Sequence, residues 1–144
     1  MRAKKFVYPQ RERNTVDPQH RAVKAAYQAA FETLANKDTK WMTSVLEKHG
    51  TALFLKDSLA LSPIAEPSQR ELYNIHGTDM SGHVTLSFVD VQEVIAIEWG
   101  ERHRLSGTSR IHLGYTTVYV PNNMEKVEVF AKIFRAGVDH MRSG

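Results

Sequence analysis

The sequence predicts an α+β domain, with helices packed on a mainly antiparallel sheet in the order ααβββαβα. Three observations predict it. Apolar residues recur at helical spacing near both ends, from Val23 to Leu34 and from Val127 to Val138. Between them lie short runs of β-forming residues separated by Gly, Pro and Asn clusters. The 144 residues, 42% hydrophobic and 24% charged, amount to one globular domain with a core of its own.

Residues 1–16 carry Arg2, Lys4, Lys5, Arg11, Arg13 and Pro9 with little periodicity, so they read as a flexible basic arm ahead of a domain at 17–144. Asp17-Pro18 opens the first helix, because Asp caps free N–H groups and Pro is tolerated at the first helical position. Val23, Ala26, Tyr27, Ala30, Phe31 and Leu34 form its stripe. Thr39 caps a second short helix with Met42, Val45 and Leu46 on one face, and Gly50 sits where a left-handed stop is wanted.

Thr51 to Leu55 is the first strand, and the segment 56–69, with Pro63 and Pro67, is a connecting loop. Glu71 to His76 and His83 to Phe88 are two strands joined by turn formers as an antiparallel hairpin. Asp90-Val91-Gln92-Glu93 resembles a capping box and starts a short helix ending near Trp99-Gly100. Residues 101–109 form a polar loop, and Ile111 to Val120 is the longest strand. Pro121-Asn122-Asn123 stops that strand and starts a last helix striped by Val127, Phe130, Ile133, Phe134 and Val138.

Composition removes several classes of function. The chain has no cysteine, which excludes disulfides, thiolate chemistry and Cys-based zinc sites. A net charge of +3 is concentrated in the arm, and no basic stripe continues on a later element, so no nucleic-acid partner is expected. No apolar run is long enough for a membrane span and no signal-peptide pattern opens the chain, so a soluble, cytoplasmic protein without a membrane partner is expected. No G-x-S-x-G, Walker A, G-x-G-x-x-G or H-E-x-x-H pattern is present, so no cofactor is expected. A homo-oligomer is compatible with the sequence.

Alternation along the hairpin sorts its residues. Tyr73 and Ile75 share one face, and Leu72, Asn74 and His76 the other; Val84, Leu86 and Phe88 oppose His83, Thr85 and Ser87. With apolar faces on helices, Asn74, His76, His83 and Thr85 gather on the far side, as a pocket floor or as a wet surface. The stretch Glu98 to Gly107 is the second candidate. Either Trp99 is packing and Arg102 pairs with Glu101 or Glu98, or His103 is a general base beside an Arg102 that holds an anion. A metal site of His76, His83 and His103 is chemically conceivable, but the spacing carries no metal signature and none is expected. His20, His49, His112 and His140 have weaker claims.

These residues resemble a known family. Arg70-Glu71-Leu72-Tyr73-Asn74-Ile75-His76 is similar to an Arg-Glu strand ending in His-x-His, and Gly82-His83-Val84-Thr85-Leu86 to the His-containing strand after it. Trp99-Gly100-Glu101-Arg102-His103 with Leu105 and Gly107 resembles a Trp-Gly-x-x-His-Pro-Leu-x-Gly segment. Tyr119-Val120-Pro121-Asn122-Asn123 resembles a Tyr-Ala-Pro-Arg-Asn strand end, and Ala52 to Leu55 has a counterpart strand. In register from about residue 50 to 141, the blocks are those of the fungal luciferase family. Asn74 departs from the family's first His, Glu98 from a Gly, Arg104 from a Pro and Asn122 from an Arg, and the membrane-anchoring N-terminal segment has no counterpart.

The resemblance implies a small-molecule enzyme of secondary metabolism acting on an enolic pyrone or polyketide-like substrate, with molecular oxygen as co-substrate and neither metal nor flavin. His76 and His103 would be the acid–base groups, and Arg102 would stabilise negative charge. Asn74 and His83 would orient substrate oxygens, with Thr85, Trp99 and Tyr119 lining the site. Cyclisation, isomerisation or decarboxylation would use the same groups without oxygen, and a non-catalytic binding module would need only the pocket.

Overall fold

The computed structural model describes residues 21–48, 50–60, 62–75, 81–104, 106–108, 111, 113–121 and 124–142. The basic arm and His76 lie outside these residues. The described elements are α1 (Arg21–Glu32), β1 (Thr39–Thr43), β2 (Thr51–Leu55), β3 (Glu71–Ile75), β4 (Gly82–Thr85), α2 (Phe88–Ala96), β5 (Gly100–Arg102), β6 (Tyr115–Val118) and α3 (Met124–Arg142). The strands form one antiparallel sheet in the order β1-β2-β3-β4-β6-β5. The α+β class is as the periodicity implies; the element order is αββββαββα.

Four local expectations need correction. The segment after Thr39 is a strand, not a helix: all five residues of β1 pair with β2, and Trp41 packs edge-on against Tyr73 with ring centroids 6.1 Å apart. The apolar spacing that suggested a helix belongs to Met42 and Val45, which stay exposed. Full strand pairing satisfies this backbone, whereas a short helix with so weak a stripe would bury little. Gly50 does adopt a left-handed φ of 79°, but it closes the β1–β2 loop together with Lys48 at φ 65°.

The second correction concerns α2. Its cap is Ser87, whose hydroxyl accepts from the Asp90 N–H, so the helix begins at Phe88 and the preceding strand ends at Thr85. Third, the polar stretch after Trp99 contributes β5, which pairs with β6. Fourth, the long strand expected from Ile111 contracts to Tyr115–Val118.

The helices cover one face of the sheet. Tyr27, Phe31, Tyr73, Phe130 and Phe134 form an aromatic cluster with centroids 4.6–5.4 Å apart between neighbouring rings. The buried Tyr73 hydroxyl donates to the Phe31 carbonyl at 3.0 Å, so its polar end is satisfied. α3 lies so close to β4 that a Cβ on Gly137 would come within 2.1 Å of the Val84 side chain. A Cβ on Gly82 would likewise meet the Phe134 ring at 2.2 Å. These two glycines set the depth of the helix on the sheet.

Candidate active site

The opposite face is polar, and strand register assembles it. Asn74 pairs with His83, His83 with Thr117, and Thr85 with Tyr115. The His103 N–H bonds the Tyr115 carbonyl at 3.0 Å, extending the β5–β6 ladder by one residue. Cross-strand partners share a face, so Asn74, His83, Thr85, Tyr115 and His103 stand together on the side away from the helices.

A β-bulge adds a carboxylate to this face. Leu53 pairs with Tyr73 but Phe54 with Glu71, which leaves Leu72 as the extra residue. In a regular strand Glu71 and Asn74 would point to opposite faces; the bulge turns Glu71 to the side of Asn74. Asn74 Nδ2 then donates to Glu71 Oε2 at 2.7 Å. The same carboxylate accepts from Ser44 Oγ at 2.8 Å and from the backbone N–H groups of Val45 at 2.7 Å and Leu46 at 3.3 Å. Ser44 Oγ in turn accepts from the Glu47 N–H at 3.0 Å. Glu71 therefore pins the β1–β2 loop over the polar face and delivers Glu47 onto it.

Glu47 is the centre of the cluster. Its Oε1 lies 2.7 Å from His83 Nδ1 and 3.6 Å from His103 Nε2. The Tyr115 hydroxyl donates to the same oxygen at 3.2 Å and accepts from Asn74 Nδ2 at 2.7 Å. The two imidazoles stand edge to face, with centroids 4.9 Å apart and planes at 80°. The side chains of His83, His103 and Glu47 are only 5%, 12% and 16% exposed. Asn74 is fully buried, and its Oδ1 has no hydrogen-bond partner among the described residues.

The electrostatics follow from this packing. The imidazoles of His103 and His83 hold the Glu47 carboxyl far below its ordinary value, against the opposing effect of burial. Burial pushes the Glu71 carboxyl up, with Asn74, Ser44 and the two backbone donors pulling the other way. Burial also pushes the Tyr115 phenol well up, despite the hydrogen bond from Asn74, and the Glu47 and Glu71 charges add to the rise. At neutral pH the face thus holds an ionised carboxylate between two imidazoles, beside a neutral phenol. A carboxylate so placed fixes the orientation of an imidazole and stabilises its protonated form, which suits proton transfer. Glu47, His83 and His103 also offer one oxygen and two nitrogens within 4.8 Å of one another, a donor set that could hold a metal ion.

The structure brings His103, His83 and Asn74 together and leaves others apart. Thr85 is buried on the same face, paired with Tyr115. Arg102 pairs with Thr116, so alternation turns it to the face opposite His103, where it is exposed. Trp99 is fully buried in the core with Val94 and Val118, and its Nε1 has no hydrogen-bond partner among the described residues. Tyr119 is half-buried just beyond β6, its N–H bonded to the Trp99 carbonyl at 2.9 Å. A groove of about 360 Å³ lined by Gln28, Phe31, Glu32, Trp41, Thr51 and Ile75 does not include the histidines.

Glu47, Glu71, Ser44 and Tyr115 escape the sequence reading. Tyr115 carried a signal, since it falls on the alternate positions of a strand. Glu47 carried none, because a helix over its segment would have placed it on a solvated surface.

Residues 69–137 match the family described as "Luciferase domain". The chain is 31% identical over 112 residues to a luciferase of Armillaria ostoyae and 32% identical over 110 residues to one of Neonothopanus nambi. The alignments cover 68% and 69% of this chain. The chain belongs to the fungal luciferase family. It spans about two fifths of the curated relatives it matches, 41% of each. No solved structure matches it. Among the described residues no helix is long and apolar enough to cross a membrane.

Proposed function

We propose that this chain is a small-molecule enzyme that works by acid–base chemistry on an enolic pyrone or polyketide-like substrate. One observation carries the reading: imidazoles from β4 and from the end of β5 converge on a single, largely buried carboxylate, Glu47. His103, the more exposed of the two, takes the acidic proton of the substrate. Glu47 stabilises the imidazolium, and His83 and the Tyr115–Asn74 pair hold substrate oxygens. His76, one residue beyond β3 in sequence, keeps its expected acid–base role within this proposal.

Kinship with luciferases supports cofactor-free oxygenation as the overall reaction. The deprotonated substrate carbon would form a bond to molecular oxygen, which is the oxidant and is reduced to the peroxide level, and the proton held at histidine would return to the product. Asn74, standing where the family has a histidine, favours a second reading in which the same groups only move protons, in cyclisation, isomerisation or decarboxylation.

The test is oxygen uptake by purified protein with a panel of pyrones and hydroxylated polyketides, with products read by mass spectrometry. Uptake that falls about 100-fold or more in His103→Ala and Glu47→Gln, the usual weight of a general base, is the expected result. Rearranged or decarboxylated product without uptake selects the second reading. No conversion of any substrate leaves a binding module for hydrophobic metabolites.

A further inference from the structure

We infer that Glu47, His83 and His103 form a three-ligand site for a divalent transition-metal ion. The inference uses the same side chains as the proposed acid–base site and goes beyond that reading, which needs no ion. Four features on this face carry it.

The donor set is the first. One carboxylate and two imidazoles, presented from one side with further positions open, match both the two-histidine, one-carboxylate arrangement of non-haem Fe(II) and the three protein ligands of open zinc sites. The second is spacing. Bonds of about 2.0–2.1 Å in a tetrahedral site place neighbouring ligand atoms about 3.3 Å apart. The Glu47 oxygen stands 2.7 Å from His83 Nδ1 and 3.6 Å from His103 Nε2, and all three donor atoms lie within 4.8 Å of one another. A shift of the Glu47 oxygen by about half an ångström, with closer approach of the two imidazoles, would bring the three donors to metal geometry.

The third feature is the mount. His83 sits inside β4 and His103 is tied to β6 through its backbone N–H, so both imidazoles hang from paired strands. The fourth is the shell around the carboxylate. Tyr115 donates to Glu47, Asn74 donates to Tyr115 and to Glu71, and Glu71 holds the loop that carries Glu47. Ligating carboxylates are held by such hydrogen bonds, and losing an outer partner costs metal affinity about 10–100-fold. An ion at this position would polarise the oxygens of an enolic ligand as a Lewis acid.

The test begins with protein stripped by a chelator and titrated with Zn(II) by calorimetry and with Co(II) by visible absorption. One ion per chain is expected, with Co(II) bands of a low-coordinate nitrogen and oxygen site. Glu47→Gln, His83→Ala and His103→Ala should each weaken binding more than about 100-fold, and Tyr115→Phe about 10-fold, in line with the loss of an inner and an outer partner. His140→Ala, in the last turn of α3, should bind like the parent. Circular dichroism checks that each variant is folded; Tyr115→Phe, which retains the buried ring, keeps the test alive if a ligand substitution unfolds the chain.

Absence of stoichiometric binding overturns the inference, as does binding that survives all three ligand substitutions. Substrate conversion by the stripped protein is read separately. Conversion by the stripped protein together with no stoichiometric metal binding overturns the metal site and leaves the acid–base reading standing. One tightly held ion with no conversion of any substrate supports the site and sinks that reading.

Discussion

The two faces of this sheet are built from the same strands and do opposite work. On one, Leu53, Tyr73 and Val84 meet α1 and α3 in an apolar layer closed by Phe31, Phe130 and Phe134. On the other, Asn74, His83 and Tyr115 sit under the loop that carries Glu47. The first face is held by area and shape, the second by directed hydrogen bonds among buried polar groups. Apolar burial is non-directional and scales with the area removed from water, whereas a partly broken polar network leaves desolvated groups without partners. Damage to the first face should therefore appear as lost stability, and damage to the second as lost function.

The largest expected effect tests the apolar face. Phe134→Ala removes a fully buried ring that touches Phe31, Tyr73 and Phe130, and should cost about 3–5 kcal/mol in denaturant unfolding. Turnover per folded molecule should stay near the parent's; a collapse of turnover in the folded fraction would show the faces to be coupled. On the polar face, Glu47→Gln should lower turnover about 100-fold, roughly 2.7 kcal/mol of transition-state stabilisation, while the fold persists. Steady-state kinetics together with a thermal melt separates the two quantities.

Asn74→Ala sharpens the comparison because Asn74 serves both fold and site. It removes donors to Glu71 and Tyr115 from a fully buried position, and about 1–3 kcal/mol of stability should go with them. The loop bearing Glu47 should loosen at the same time, seen as faster amide exchange at Val45 and Leu46.

The smallest effect lies in pH dependence, where the two carboxylates should behave oppositely. The Glu47 carboxyl is lowered from an ordinary value of 4.5, so its contribution to stability is complete above that pH and is lost as pH falls through the depressed value. The Glu71 carboxyl is raised from 4.5, so the fold favours its protonated form; that contribution is complete below 4.5 and is lost as pH rises through the raised value. In melts from about pH 7 to about pH 3, the gap between parent and Glu47→Gln should narrow toward acid. The gap for Glu71→Gln should widen toward acid. Parallel gaps would contradict this account of the network.

Much of this was legible in single residues. The stripe Phe130, Ile133, Phe134 and Val138 specifies which side of α3 is buried, since no other face offers continuous apolar area. Alternation within each strand, once the apolar faces are turned to the helices, groups Asn74 with His83. The Trp99 to His103 block with its neighbours carried the family likeness, and the luciferase relatives bear it out.

What the sequence by itself determined is therefore the α+β class, the apolar faces and the kinship, because each rests on local period or on residue identity. Only the tertiary structure decided the site's centre. Glu47 reaches the histidines because a bulge at Leu72 turns Glu71 over and the turned carboxylate captures the Ser44 hydroxyl and the Val45 and Leu46 N–H groups. A slip of one residue in strand register reverses a side chain's face. That slip is chosen by pairing between strands distant in the chain, so no local pattern around Glu47 or Glu71 can announce it.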